Sequence, residues 1–297
     1  MALLVFLTFL SLIVNQYVPV WMKDSEASHM DTAVGQLADV KGAIDFQALG
    51  ALMAQNAGAL FVPSTTSTSV TLGVDGVPIF SSPSTGSLTS NPTQANWTVW
   101  FEYKINGVTT TVAQNASGQL DLNVQNRYYP AGDIVYENGA VLRSQPDGQV
   151  VRAAPTFQAS KTGSNLNLAF ELVSLYGSGS ATGTSTQIVN TKVFAVSQQT
   201  YNVTSPLYVN HTSPYALGWF NFFNSSLSSS LNVRPSTTVA GPITTVTYSP
   251  LYQLVLTNLG AFSYRLNMVV YNTPLFLSFT LQQLYVNVGV GQSSTPV

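Results

Sequence analysis

The sequence predicts an α+β protein in which one long N-terminal hydrophobic α-helix precedes an all-β, antiparallel sandwich head. Residues 2–14 are apolar or nearly so and carry no charge. A helical spacing of apolar residues then continues to about Asn56. From Phe61 onward, short apolar stretches alternate with clusters of Gly, Pro, Ser and Asn, which is typical of strands and turns. The chain therefore divides into an N-terminal hydrophobic and amphipathic helix at residues 1–58 and a β head at residues 59–297.

The helical pattern beyond the first apolar run rests on spacings of three, four and seven residues. Its stripe consists of Met30, Val34, Leu37, Ile44 and Ala48, with Val40 beside Lys41, and Leu49, Leu52 and Met53 extend it. Residues 56–58 (Asn-Ala-Gly) end it. A helix of this length measures on the order of 75–80 Å, more than an ordinary globular domain needs. Pro19 should kink or interrupt it near residues 16–17.

The β head is predicted from period-two alternation and turn signals. Residues 133–143 read as a hairpin with Asn138-Gly139 as its two-residue turn, since these residues tolerate the positive φ angles that such a turn needs. Further strands are predicted at residues 95–104, 166–175, 187–196, 251–257, 263–272 and 275–289. Residues 177–185 read as a flexible hairpin loop or linker. A split into two β modules near residues 144–156 is an alternative, and no further long helix is predicted.

Composition excludes several classes of function. Charged residues make up 7% of the chain and the net charge is −2, so a nucleic-acid partner, which requires a basic face, is not expected. Because there is no cysteine, disulfides and thiolate metal sites are excluded. A surface solvated by hydroxyls and amides titrates little, so stability should depend weakly on pH. These features favour an extracellular protein.

Five Asn-x-Ser/Thr sequons support the same localisation. They are candidate N-glycosylation sites and begin at Asn96, Asn115, Asn202, Asn210 and Asn224. Together with the scarcity of charge, they favour an exported surface that carries sugar.

The sequence offers little catalytic or metal-binding chemistry. His29 is expected to contact Glu26 one helical turn away, and His211 is expected to be exposed. Asp133 and Glu137 flank one strand and could bind a cation or act as an acid–base pair, but a solvated edge is the preferred interpretation. Neither a cofactor nor a metal is predicted, and we do not expect an enzyme.

Two aromatic groups are open to more than one interpretation. Core packing is the first interpretation of Trp97, Trp100, Phe101 and Tyr103, and a platform for stacking sugars is the second. Residues 220–223 (Phe-Asn-Phe-Phe) are interpreted as a corner of the β core, with an exposed docking patch as the alternative.

The apolar opening segment allows three interpretations. A signal peptide is disfavoured because no basic residue precedes the run and no small-residue cleavage site follows it. A plain membrane anchor needs about 20 apolar residues, and residues 2–22 reach that length only with Asn15, Gln16 and Pro19. The third interpretation is a helix that begins in the membrane and later packs against identical helices in a filament core. It also accounts for the amphipathic continuation of the helix.

The chain resembles archaeal type IV pilin-like proteins. Residues 18–30 (VPVWMKDSEASHM) are similar to the helix just after the hydrophobic start of those proteins. Residues 70–88 (VTLGVDGVPIFSSPSTGSL) are similar to their first strand and turn, and residues 136–141 (YENGAV) and 171–180 (ELVSLYGSGS) to later β segments. The basic-Gly leader pair of the family does not precede the apolar run, which implies cleavage or a start codon downstream of it.

This resemblance implies a structural subunit of an extracellular filament that serves surface adhesion, with identical subunits as its first partners. Helices would form the filament core and β heads the outer wall. The implied core residues are Leu3, Leu4, Phe6, Leu7, Phe9, Leu10, Ile13 and Val14. The subunit would pass through the membrane before assembly by a separate pilus ATPase and platform proteins, and surface glycans are a further expected partner.

Three other functions remain open at this level. A monomeric, membrane-anchored adhesin or solute-binding protein shares the helix and the sandwich. An envelope or capsid protein of an archaeal virus is a third hypothesis, and an enzyme such as a glycosidase or protease is the last.

Overall fold

The computed structural model describes residues 2–76, 81–261, 263–273 and 275–291. It confirms the predicted fold class, because one long N-terminal helix is followed by a β-rich head. The helix consists of α1 (Ala2–Leu12), a π-helical segment (Ile13–Tyr17) and α2 (Val18–Asn56). Residues 77–80, within the stretch 70–88 compared above, lie outside the described residues, as does Met1.

The π-helical segment ends just before the first turn of α2, which contains Pro19. Proline has no N–H to donate, and its ring crowds the carbonyl group four residues earlier, here that of Asn15. A π-helical turn shifts the hydrogen bonds by one residue and so relieves this crowding. The α-helical ladder is therefore interrupted over the residues where the sequence predicts an interruption, while the chain stays helical on both sides.

The head contains the predicted strands, several shorter ones and one helix. The strands are β1 (Thr66–Thr71), β2 (Gly86–Asn91), β3 (Asn96–Ile105), β4 (Val108–Ala116), β5 (Gln119–Val124), β6 (Gly132–Glu137), β7 (Ala140–Gln145), β8 (Gly148–Ala153), β9 (Phe157–Thr162), β10 (Asn165–Tyr176), β11 (Gly179–Gly183), β12 (Thr186–Val203), β13 (Leu207–Ser213), β14 (Ser236–Ala240), β15 (Ile243–Tyr248), β16 (Tyr252–Gly260), β17 (Ser263–Val270) and β18 (Phe276–Val290). The helix is α3 (Ala216–Ser230).

The strands form two sheets. The larger sheet has 12 strands, with the order β14-β15-β16-β17-β13-β3-β12-β18-β10-β9, while β1 pairs with β12 and β4 with β3. The smaller sheet has the order β11-β2-β5-β6-β7-β8. Most pairs are antiparallel, as predicted, but β10 and β18 run parallel over twelve residue pairs. A parallel pair needs a long crossover, and the chain from β11 through β17 supplies it.

Two hydrophobic cores lie on opposite faces of the hairpin formed by β6 and β7. Ile134, Tyr136 and Val141 face the core that α2 shares with β12 and β18. Val135 and Leu142 face the core that α3 shares with β3, β13, β16 and β17. Alternate residues of a strand point to opposite faces, so a strand that is apolar on both faces is buried on both. The suggested split near residues 144–156 stays a prediction.

The Asn138-Gly139 turn of this hairpin forms as predicted, with φ angles of 44° and 77°. It is buried, whereas turns usually lie at the surface. The Asn138 side chain bonds two backbone groups of β10. Its Nδ2 donates to the Glu171 carbonyl oxygen at 3.0 Å, and its Oδ1 accepts from Val173 N at 2.8 Å. A Cβ atom on Gly139 would come within 2.7 Å of Glu171 Oε1, so the turn also requires glycine for close approach.

The structure corrects two predictions about the head. Residues 220–223 lie in α3 and form no β corner, although Phe220 and Phe223 are buried in the second core, as the core interpretation predicts. Trp219, Phe223 and Leu227, spaced four apart, fill that core. The serine-rich end of α3 has low helix propensity, so the sequence alone did not predict a helix here. Tertiary packing of the apolar stripe outweighs this low propensity. Residues 179–183, within the predicted loop 177–185, form β11 at the edge of the smaller sheet.

Candidate assembly surface

The first part of the helix, residues 2–17, projects from the head and is called the rod here. No residue of Ala2–Leu12 is buried, and Leu3 is 73% exposed. Of the predicted core residues, Leu3, Leu4, Phe6, Leu7, Phe9 and Val14 are exposed, and Leu10 and Ile13 are partly covered. Among the described residues, the structure has one helix long and apolar enough to cross a membrane, Ala2–Asn56. Among the described residues, the apolar surface of Ala2–Leu12 thus has no packing partner that buries it.

Two polar side chains of the rod, Thr8 and Asn15, bond back to its own backbone. Thr8 Oγ1 donates to the Val5 carbonyl oxygen and Asn15 Nδ2 donates to the Ser11 carbonyl oxygen, both at 2.8 Å. A hydroxyl or amide that is satisfied within its own helix costs less to place in an apolar environment. The rod can therefore enter lipid, or a bundle of apolar helices, without leaving these donors unpaired.

One face of α2 fixes the rod to the head. Met30, Leu37, Ile44 and Ala48 of the predicted stripe are buried, and Val40 lies beside them as expected. Val34 and Leu52 are partly covered. Leu49 and Met53, which the sequence adds to the same stripe, point away from the head instead. Position 49 lies about 100° around the helix from position 48, so the two residues cannot share a narrow face.

Glu26 connects α2 to a loop of the smaller sheet. Its carboxylate is fully buried and accepts hydrogen bonds from Tyr128 N at 2.7 Å and Tyr129 N at 2.6 Å, from Arg127 N, and from the Ser84 hydroxyl. Burial raises the pKa of Glu26, but these four hydrogen bonds outweigh the burial and the pKa is lowered overall. A carboxylate held by three successive N–H groups is a rigid contact between helix and head.

Three glutamines of α2 repeat this connection along the helix. Gln36 Oε1 accepts from Thr71 N at 2.8 Å, Gln47 Oε1 accepts from Val193 N at 2.9 Å, and Gln55 Nε2 donates to the Val196 carbonyl oxygen at 2.9 Å. Backbone groups of β1 and β12 are thereby satisfied by side chains of the helix. The helix is thus bound to the head along most of α2.

The opposite face of α2 exposes a second apolar surface, here called the outer stripe: Phe46, Leu49 and Met53. These side chains are 77%, 51% and 63% exposed and follow a spacing of three and four residues. Gly42 and Gly50 lie beside them, and a Cβ atom at either position would meet open space. A glycine within a helix costs about 1 kcal/mol relative to alanine, so these two glycines destabilise the isolated helix and allow another backbone to approach it.

The five sequons fall into two groups. Asn96, Asn115, Asn202 and Asn210 are exposed on strands of the larger sheet, on the face that points away from the core. Asn210, Thr98 and Asn115 are direct partners across three neighbouring strands, so the first and last of them share a row. Asn224 lies on α3, is partly covered, and has a buried Oδ1 atom. The strand sequons are accessible to modification and the helical one is less so.

Three predictions about polar residues are corrected by the structure. His29 Nε2 contacts the Thr71 carbonyl oxygen at 3.0 Å, and its expected partner Glu26 binds elsewhere. His211 is 1% exposed because β13 alternates and turns its neighbour Asn210 outward. Glu137 is fully buried, since β6 lies between two cores and has no solvated edge.

The interpretation of the aromatic strand as core is confirmed for Trp97 and Phe101, which are buried, while Trp100 and Tyr103 are partly covered. Within the described ranges, no three His, Cys, Asp or Glu side chains are grouped in a way that could hold a metal ion. The exposed apolar side chains of the rod and of the outer stripe are left without a packing partner among the described residues. Comparison with protein-family models, with curated protein sequences and with solved structures found no significant match to this chain.

Proposed function

We propose that this chain is a structural subunit of an extracellular type IV pilus-like filament. Rods of many subunits would form the core and β heads the outer wall, and the filament would serve surface adhesion. The observation that carries the proposal is the rod, which exposes apolar side chains in every direction while α2 is fixed to the head. An apolar cylinder must be covered by lipid or by other apolar helices.

The outer stripe favours a filament over a monomeric membrane anchor. Met53 lies 36 residues beyond Tyr17, about 54 Å along the helix at about 1.5 Å per residue. The hydrocarbon core of a membrane is only about 30 Å thick, so lipid that covers the rod does not reach the outer stripe. Neighbouring helices that run alongside α2 would cover both surfaces.

Assembly on this basis exchanges one apolar environment for another. Lipid is already apolar, so the gain comes from close packing of helices, and the exposed Gly42 and Gly50 permit such packing. The subunit would lie in the membrane through its rod before assembly. Separate ATPase and platform proteins would supply the energy and place the subunits.

The test uses two kinds of measurement on cells that make the protein. Electron microscopy of material sheared from the cell surface should show fibres that contain this chain. Leu7→Asp or Leu10→Asp should abolish the fibres and leave the circular dichroism of the β head unchanged, because a carboxylate in an apolar core is costly. Val239→Asp, at an exposed position of β14, is the matched control and should assemble. Normal fibres from the Leu7 variant, or native chains found only as single lipid-held molecules, would refute the proposal.

A further inference from the structure

The outer face of β12, β18 and β10 carries a cleft of about 620 Å³, called the Asn202 cleft here. The strands place its side chains in two rows. Asn202 pairs with Ser278, and Ser278 pairs with Asn167, so these three lie side by side across three strands. In the next row Phe276 pairs with Asn165. Direct cross-strand neighbours lie about 4.5–5.5 Å apart, so the five side chains form one continuous surface.

Phe276 is the unusual member of this surface. It is 74% exposed, although Leu277 and Phe279 on the same strand are buried. Alternation along β18 explains why it points outward, but it does not explain why the residue is aromatic. Polar or small residues, such as Ser278 and Thr280, occupy the following outward positions. An exposed ring beside amide and hydroxyl side chains offers a flat apolar face to a ligand.

The amides of the cleft are free to bind. Within the described part of the chain, the side chains of Asn165, Asn167 and Asn202 make no hydrogen bond to another protein group. The nearby outward row is different, because Thr200 Oγ1 and Thr280 Oγ1 bond to each other at 2.8 Å. Asn190, also on β12, is likewise satisfied, since its Oδ1 accepts from Ser67 Oγ at 2.6 Å. The three amides of the cleft are therefore available to a ligand, whereas these neighbouring groups are already paired.

We propose that the Asn202 cleft binds neutral carbohydrate. Side-chain amides both donate to and accept from hydroxyl groups, and an exposed aromatic face stacks on the C–H face of a sugar ring. None of the described residues that line the cleft carries a charge. A phosphorylated, acidic or cationic ligand would leave its charge without a partner there, whereas a neutral saccharide requires none.

The saccharide has two sources that share this chemistry. Asn202 begins the sequon Asn202-Val203-Thr204, so a glycan attached to Asn202 would start at the cleft and could fold back over Phe276. A saccharide of another surface could enter the same cleft. The site does not depend on filament assembly, and its test can fail while the proposed function stands.

The first experiment uses the full chain made without glycosylation and purified in detergent. Maltohexaose, mannopentaose and chitobiose are titrated by saturation-transfer NMR and calorimetry, with sialyllactose as the charged comparison. At least one neutral probe should bind saturably and more tightly than sialyllactose. Phe276→Ala and Asn167→Ala should each weaken that binding by roughly tenfold, which is the effect of losing one stacking or paired polar contact. Val239→Ala, at an exposed apolar position of the same sheet, should leave it unchanged.

The second experiment distinguishes the two sources in protein isolated from its own cells. If mass spectrometry finds a glycan on Asn202, the free probe should no longer bind, and Thr204→Val, which removes the sequon, should restore binding. If Asn202 is unmodified, the probe should bind as it does to the unglycosylated chain, and the ligand comes from another surface. The proposal is overturned if no neutral probe binds the unglycosylated chain, or if Phe276→Ala and Asn167→Ala bind it as well as the parent does.

Discussion

Glu137 and His211 face each other in the head, with 2.8 Å between Oε1 and Nε2, and both side chains are fully closed to solvent. The same carboxylate accepts hydrogen bonds from Trp219 Nε1 at 2.7 Å and from Ser213 Oγ at 2.9 Å. The His211 ring in turn stacks on Trp97, with 3.8 Å between ring centroids. One carboxylate thus connects β6 of the smaller sheet with β13 of the larger sheet and with α3.

We expect this carboxylate to be essential for the stability of the head. Glu137→Ala should lower the free energy of unfolding by about 3–5 kcal/mol, because it leaves buried donors without an acceptor. Glu137→Gln should cost about 1–3 kcal/mol, since one oxygen acceptor becomes a donor that faces other donors. Urea unfolding of the full chain in detergent measures both. Glu102→Gln, on the outer face of β3, is the control and should change stability by less than about 0.5 kcal/mol.

The structure also modifies the expectation that stability depends weakly on pH. Burial, together with the charge of Asp133, raises the pKa of Asp121 to about 7, although Tyr215 donates a hydrogen bond to it. Burial, together with the charge of Asp45, raises the pKa of Glu171 to about 7. A carboxyl whose pKa is higher in the folded state holds its proton better when folded, so it stabilises the fold at low pH.

The sign of the pH effect follows from these two groups. Stability should fall as the pH rises from about 4 to about 7, because over this range Asp121 and Glu171 are ionised in the unfolded chain but hold their protons in the folded state. The midpoint of thermal unfolding should therefore be higher at pH 5 than at pH 8. Asp121→Asn combined with Glu171→Gln should flatten this dependence, while Asp147→Asn in an exposed turn should not. An equal slope in the double variant and the parent would contradict the assignment.

Glu26 acts in the opposite direction. Its pKa is lowered in the folded protein, so the stability that it contributes is present above its ordinary pKa and is lost as the pH falls through the lowered value. Glu26→Gln should destabilise the contact between helix and head by about 1–3 kcal/mol, because an amide nitrogen would replace one acceptor of N–H groups. Hydrogen exchange at Arg127, Tyr128 and Tyr129 reports this contact directly. Exchange there should become faster in Glu26→Gln and stay unchanged in Asp24→Asn, at an exposed position on the same helix.

Local patterns predicted most of the architecture. The apolar run, the helical stripe and the Asn138-Gly139 turn depend on residues close in sequence, and the structure contains all three. The burial of that turn depends on β10, and Val173 contacts Asn138 from 35 positions away. Contacts between residues so far apart in the chain cannot be recognised from a short stretch of sequence. The sequence alone therefore predicted the turn but not its burial.

The polar residues show the same limit more clearly. Glu26 and His29 are one helical turn apart, which predicts a contact, yet three backbone N–H groups from residues 127–129 take the carboxylate instead. His211 follows a sequon asparagine, which suggests exposure, but alternation along β13 turns it inward. That alternation was available in the sequence and could have indicated a buried histidine.

The outer stripe provides the prediction that separates a filament from an anchored monomer. Substitutions in the rod would harm both, because both require the rod in lipid, whereas Phe46, Leu49 and Met53 lie beyond the reach of lipid and point away from the head. Leu49→Asp and Met53→Asp should therefore leave membrane insertion and the unfolding midpoint unchanged but reduce the yield of sheared fibres at least tenfold. Gly42→Leu should act in the same direction, since open space over Gly42 in one subunit would be occupied by a neighbouring helix. Val62→Asp, exposed in the segment after the helix, is the matched control. Wild-type fibre yield from the stripe variants would show that neighbouring helices do not cover this face.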